Sequence, residues 1–325
     1  MPEASDTPFV RTRDAVLLVS ATVFGGLVVP LLPLAGLPLA AAGIAGLVYR
    51  ERVVAAALAS GAAVGLGTLL VPIDGVLLVP VFAALLLVVG GMRRRSALTS
   101  AALLTAAVGV GLLVRTALLA QVRGMTIPEL MRSGIESAVE SLTVAGQADG
   151  GQGAIFGVDA ATLGDTLVRL WPFDLFASSL FAAVVAVAAA GWAAGRSGAE
   201  VRRLPRLDAL DLSPHVLWPF IGAVALLAVG RGMSESMATT AGLNVLLGVR
   251  LLLLAQGLGV VSALYRRVGI GGFMRVAGYV LLVVADMILP VVSVVGLIDF
   301  WANFRKLPRD DNRPAEEPED RTGEA

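Results

Sequence analysis

The sequence predicts an all-α fold, a polytopic transmembrane helix bundle of about nine spans with an external amphipathic helical insert. Three observations carry that prediction. Of 325 residues, 57% are hydrophobic and 15% charged, more apolar surface than a water-soluble domain can cover. The apolar residues fall in long blocks, and arginines gather at alternate junctions between blocks, as the retention of positive charge in cytoplasmic loops requires.

A spanning helix needs roughly 20 apolar residues, because lipid satisfies no backbone donor or acceptor. The stretches that approach this are Ala15 to Val29, Pro33 to Tyr49, Val53 to Val71, Val76 to Gly91 and Ala97 to Ala120. A second set follows at Pro172 to Gly195, Pro214 to Gly230, Thr240 to Leu264 and Phe273 to Ile298. Residues 1–14 form a short leading tail, 15–120 carry the first five spans and 172–301 the last four. The run from Ala15 to Tyr49 is divided only by Pro30, Pro33, Gly36 and Pro38, so a kinked span or a re-entrant turn are both open there. It outlasts a signal-peptide core, and the N-terminus is expected to be retained.

Arg11 and Arg13, Arg50 and Arg52, Arg93 to Arg95, Arg196 with Arg202, Arg203 and Arg206, and Arg266 with Arg267 are expected on the cytoplasmic side. This puts the N-terminus inside, and Pro72 to Gly75, Gln121 to Leu170 and Arg231 to Met237 outside. Nine crossings would leave Arg305, Lys306 and Arg309 outside as well. A turn back at Pro290 within the last stretch resolves the conflict and places the tail in the cytoplasm. Residues 302–325, rich in Pro, Glu, Asp and Arg from Leu307 onward, are expected to be disordered.

The insert, residues 121–171, carries the clearest local code. Thr126 with Glu129 three residues later is a capping box, and Pro128 fits the first turn, where its missing donor costs nothing. Ile127, Leu130, Met131, Ile135, Ala138, Val139 and Leu142 then recur at helical spacing, with Glu129, Arg132, Glu136 and Glu140 opposite. After a Gly-rich hinge over Gly146 to Gly157, Asp159 is placed to cap a helix through Leu163, Leu167 and Trp171 into the next span. The insert either packs on the bundle or headgroups, or moves as a lid over an external cavity.

The inventory excludes much chemistry. Without cysteine there is no disulfide, iron–sulfur cluster or thiolate site, and a single histidine, His215, cannot make a multi-histidine metal or haem site. Lys306, the one lysine, follows no phosphate-binding loop, so the chain has no ATPase of its own. With 25 basic and 25 acidic residues, nothing points to nucleic acid. No catalytic residue, metal or cofactor is expected, and the partners are the lipid bilayer and an unidentified membrane or cytoplasmic protein.

Ionisable groups near mid-membrane cost roughly 2.5 to 3.5 kcal/mol on insertion scales. Arg250 and Asp286 sit near the middles of their stretches and are expected to pair, either to fix helix register or as the heart of a substrate or proton site. Asn244 and Gln256 share the helix of Arg250 but project in three different directions, so that helix should be surrounded by protein. Each amide is a candidate bridge between helices, and Asn244, Arg250, Gln256 and Asp286 together form the candidate intramembrane polar site. Arg115 and Asp174, near span ends, are expected as interface anchors. Gly61 and Gly65 form a GxxxG that permits close helix approach.

Two stretches carry a resemblance. Asn244 through Arg250 to Gln256-Gly257, and Gly296-Leu297-Ile298-Asp299-Phe300 closing at Arg305, resemble the YybS-like family of predicted bacterial membrane proteins, whose function is unknown. The resemblance implies the bacterial cytoplasmic membrane and supplies no substrate or catalytic residue. In layout alone the chain is also similar to the substrate-capturing subunits of energy-coupling-factor vitamin transporters. Asp299 and Arg305, six residues apart at a helix exit, are expected to cap or anchor separately. The functional expectation is a transport or substrate-binding membrane subunit without its own ATPase. The alternative is a non-transporting envelope-biogenesis or assembly scaffold.

Overall fold

The computed structural model describes residues 8–148, 154–155, 158–232 and 237–307. Their architecture is helical: α1 (Pro8–Val28), α2 (Pro33–Val48), α3 (Val53–Leu70), α4 (Pro72–Gly91), α5 (Ala97–Val122) and α6 (Ile127–Ala148) come first. Then follow α7 (Ala160–Arg196), α8 (Leu217–Gly230), α9 (Met237–Val268), α10 (Gly272–Ile288) and α11 (Val291–Ala302). The exception is a two-residue antiparallel pairing of Ala154–Ile155 with Val158–Asp159. Most of the expected hinge beyond these residues, and the tail after Leu307, lie outside the described residues.

Every apolar stretch read from the sequence is helical, but the described chain supports five spans, or six, where nine were predicted. Helices α3, α4, α5, α7 and α9 are each long and apolar enough to cross a bilayer. Helices α10 and α11 qualify only together, bent by 97° at their junction. In α2 and α8 it is length that falls short. At 1.5 Å per residue the 16-residue α2 reaches about 24 Å, short of a hydrocarbon core of about 30 Å.

Two compact units divide the chain, one of Met1–Pro205 with Leu217–Val249, the other of Arg206–Val216 with Arg250–Ala325. The first is held by small residues in α1 and α2 and by larger ones around them. A Cβ on Gly25 would lie 2.8 Å from the Gly36 carbonyl oxygen, so only glycine lets these two helices approach as they do. Ala40, Ala41, Ile44, Ala45 and Leu47 of α2 are fully buried, joined by Leu78, Phe82, Leu85 and Val89 of α4 and Ala183, Ala186 and Ala190 of α7. At one end the Tyr49 hydroxyl donates to the Val89 carbonyl at 2.5 Å, and Arg202 N–H donates to the Met92 carbonyl at 3.1 Å.

Two expectations in this unit need correction. The Gly61–Gly65 face of α3 meets nothing within 4 Å where a Cβ would stand; close approach is made at other glycines, Gly25 and Gly36 between α1 and α2 and Gly75 of α4 against Thr68 of α3. Arg115 is not a free interface anchor: its Nε donates to Asp74 in the first turn of α4, and both side chains are half-buried. Pairing with a carboxylate at hand satisfies the guanidinium more cheaply than reaching for water.

Helix α6 starts on its capping box. Thr126 N–H and its hydroxyl donate to Glu129 Oε2 at 2.7 and 2.8 Å, and Glu129 N–H donates back to the Thr126 hydroxyl at 3.4 Å. These donors hold the Glu129 carboxyl below its ordinary range. Leu130 and Val139 are buried and the helix packs on α7, while Arg132, Glu136 and Glu140 are exposed.

Candidate functional site

In the second unit the polar side chains gather at two junctions, each explained by a feature of the backbone. The first is the break between α10 and α11. Pro290 stands four residues after Asp286 and has no N–H, so the Asp286 carbonyl loses the donor a continuous helix would give it. Arg250 supplies the replacement, its Nη2 donating to the Asp286 carbonyl oxygen and lying 3.5 Å from Asp286 Oδ2. The carboxylate serves the other side of the break. Oδ1 accepts from Ser293 N–H at 2.9 Å and Oδ2 from the Ser293 hydroxyl at 2.6 Å, which caps the first turn of α11. Asp286 is buried at 2% exposure, whereas the Arg250 side chain keeps 30%. Arg250 is engaged through Nη2 alone among the described hydrogen bonds, which leaves Nε and Nη1 to spare.

The second junction lies where α9, α11 and the 206–216 connector meet. Gly257 and Gly296 make the approach possible: a Cβ on Gly257 would strike the Val292 carbonyl, and one on Gly296 would stand 2.7 Å from Gly257 N. Gln256 is fully buried beside this crossing. Its Nε2 donates to Asp299 Oδ2 at 3.0 Å and Asp211 Oδ1 at 3.3 Å, and its Oε1 accepts from Leu212 N–H at 3.2 Å. Asp299, also fully buried, accepts from Phe304 N–H at 2.9 Å and from Arg305 Nη2 at 2.7 Å. Arg305 Nη1 reaches the connector carbonyls of Leu210 and, at 3.4 Å, Asp208. Asp208 itself is buried and paired with Arg266.

Asp299 and Arg305 therefore contact each other directly, contrary to what their spacing suggests. Helical spacing ceases to apply after Ala302. Asn303 takes a left-handed conformation with φ of 41°, which turns the chain so that Arg305 folds back over the helix end. The guanidinium and carboxylate are 1% and 0% exposed, a geometry in which neither ion is tolerated alone.

Asn244 belongs to the first unit and to neither junction. Pro172 lies inside α7, where its ring crowds the preceding turn and opens the helix ladder. The Asn244 amide fits into the opening: Oδ1 accepts from Phe173 N–H at 2.8 Å and Nδ2 donates to the Arg169 carbonyl at 2.9 Å. Those two backbone groups are four residues apart, the spacing of one ordinary helical hydrogen bond.

The four residues of the expected polar site are thus not one site. Arg250 pairs with Asp286, Gln256 joins Asp299 and Arg305, and Asn244 splices α7. Their separate directions around α9 foreshadow this division, and no side chain from Leu246 to Ala263 is fully exposed. Ser293, Asp208, Asp211 and Asp74 were not singled out from the sequence. Ser293 had a signal in its place three residues after Pro290; Asp208 and Asp211 had none, because a charged loop reads as solvated. His215 is exposed in a short 3-10 turn, Pro214–Val216. Among the described residues no three His, Asp or Glu side chains are grouped to hold a metal ion.

Over residues 15–300 the chain matches DUF2232, a family described as predicted membrane proteins. No curated protein and no solved structure matches it.

Proposed function

The chain belongs to the DUF2232 family of predicted membrane proteins, and from that premise we propose that it is a transport or substrate-binding membrane subunit without its own ATPase. In this reading it lies in the bacterial cytoplasmic membrane with the N-terminus inside and nine apolar segments in the bilayer. The last segment turns at Pro290, the tail is cytoplasmic, and α6 is external. The arginine pattern along the sequence supports this orientation.

The observation that carries the functional reading is the broken α10–α11 pair beside Arg250. Discontinuous helices with a charged group at the break are where membrane transporters place their binding sites, because freed backbone and helix ends there recognise polar solutes. Arg250 spends one nitrogen on the break and retains two, with 30% of its side chain accessible. A small solute bearing a carboxylate or phosphate suits that remaining fork. Energy would come from a partner ATPase or an ion gradient, and no catalysis by this chain is invoked.

Affinity purification in mild detergent, with identification of co-purifying proteins and small molecules, tests the proposal. Recovery of an ATPase, or of an anionic solute that Arg250→Gln abolishes, supports it. Recovery of cell-wall or division proteins alone, with no solute dependent on Arg250, overturns it in favour of an assembly scaffold. That second reading draws support from the Gln256–Asp299–Arg305 cluster, whose polar groups are directed to their own backbone and to each other.

A further inference from the structure

A cavity of about 340 Å³ opens in the first unit between the ends of α1, α2 and α7, and its lining is arranged as an amphiphile would require. On each of the three helices a charged residue lies toward the cavity mouth, within α1 (Asp14), just past α2 (Arg50) or at the last position of α7 (Arg196), and an apolar or small one lies about a turn deeper. Asp14 precedes Leu17 in α1, Arg50 follows Gly46 at the end of α2, and Arg196 follows Trp192 in α7. Four residues of helix span about 6 Å, so the cavity has a polar rim and an apolar floor at a headgroup-like depth.

Charge at the rim is unequal. Arg50 Nη1 binds Asp14 Oδ2 at 2.8 Å, which neutralises one cation. Arg196 has no carboxylate partner among the described residues; its guanidinium lies 4.2 Å over the Trp192 ring, which orients the fork without cancelling its charge. One positive charge therefore remains for a ligand. Trp192 and Leu17 are 57% and 59% exposed, apolar surface that a water-soluble anion would leave uncovered and an acyl chain would cover. Basic pockets between membrane helices bind anionic headgroups on this basis.

We propose that this cavity seats an anionic phospholipid, with its phosphate on Arg196 and an acyl chain along Trp192 and Leu17. The site is independent of the transport reading and uses none of its residues.

The test is native mass spectrometry of the full-length protein, delipidated in detergent and titrated with phosphatidylglycerol or phosphatidylcholine of identical chains. Phosphatidylglycerol should bind preferentially, and Arg196→Gln should weaken it about tenfold, the scale of one lost charge-assisted contact, while leaving phosphatidylcholine unchanged. Arg132→Gln on α6 should have no effect. Ser197→Asp, which adds a carboxylate to the rim outside the helix core, should weaken the same lipid and provides the test if the arginine variant does not fold. Equal binding of the two lipids, or unchanged phosphatidylglycerol binding in a folded variant, overturns the proposal. Displacement of the lipid by glycerol 3-phosphate at equal concentration also overturns it, since the ligand would then be a soluble phosphate.

Discussion

Replacing Asp299 with alanine removes the acceptor for four donors at once: Gln256 Nε2, Phe304 N–H, and Arg305 Nε and Nη2. It also leaves a guanidinium that is 1% exposed with only the more exposed Asp211, 3.6 Å away, as counter-ion. Breaking a buried pair from one side costs about 3 to 5 kcal/mol, most of it the penalty for the stranded charge. Asp299→Ala should therefore destabilise the second unit by about the lower end of that range, because Asp211 still faces Arg305, and Arg305→Gln by a similar amount. The double variant Asp299→Asn/Arg305→Gln strands no ion and should recover at least about 2 kcal/mol relative to the sum of the single losses. Denaturant titration in detergent, followed by tryptophan fluorescence, with Trp301 next to the site in sequence, measures all three. Single losses below about 1 kcal/mol, of the kind exposed ion pairs give, or losses that simply add, would refute the claim that this pair is buried and coupled.

Three further outcomes follow from the other junctions. Asn244→Leu should cost about 1 to 3 kcal/mol by stranding Phe173 N–H and the Arg169 carbonyl, and less in a Pro172→Ala background where the ladder can close; a double-mutant cycle by thermal melting checks the coupling. Gly257→Ala should cost about 1 to 3 kcal/mol, because the added Cβ meets the Val292 carbonyl backbone, which cannot yield as a side chain does; equal melting of variant and wild type would remove the close crossing. The Glu129 carboxyl is lowered in the folded state, so its contribution to the α6 start is complete above the ordinary glutamate range and is lost as pH falls through the lowered value. The amide-exchange protection factors of Thr126 and Glu129, taken relative to intrinsic exchange at each pH, should fall through that acidic window, and Glu129→Gln should flatten the dependence.

Much of the fold was legible because the bilayer imposes a coarse rule. A segment that must satisfy every backbone group internally has to be helical and apolar, so the blocks, the capping box of α6 and the run of α7 into its span could be read without tertiary knowledge. Span count was less legible, since 16 apolar residues in α2 satisfy composition but not thickness. The Arg250–Asp286 contact was legible for a similar reason: two unpaired charges at one depth have few alternatives. Its purpose was also written in the chain, in Pro290 four residues after Asp286, although only the geometry joined the two facts.

The approach of Asp299 to Arg305 depended on one left-handed residue, Asn303, and helical periodicity says nothing past a helix end. Asp208 and Asp211 were recruited from a loop distant in sequence from the residues they serve. By itself, then, the sequence determined that this chain is a set of apolar helices carrying a few costly polar groups, because hydropathy and periodicity act locally. Tertiary structure alone decided which backbone break or helix crossing each group repairs. The contacts of Arg250, Gln256, Asn244 and the 206–216 connector join residues 36 to 97 positions apart, and no local pattern encodes who meets whom across such a distance.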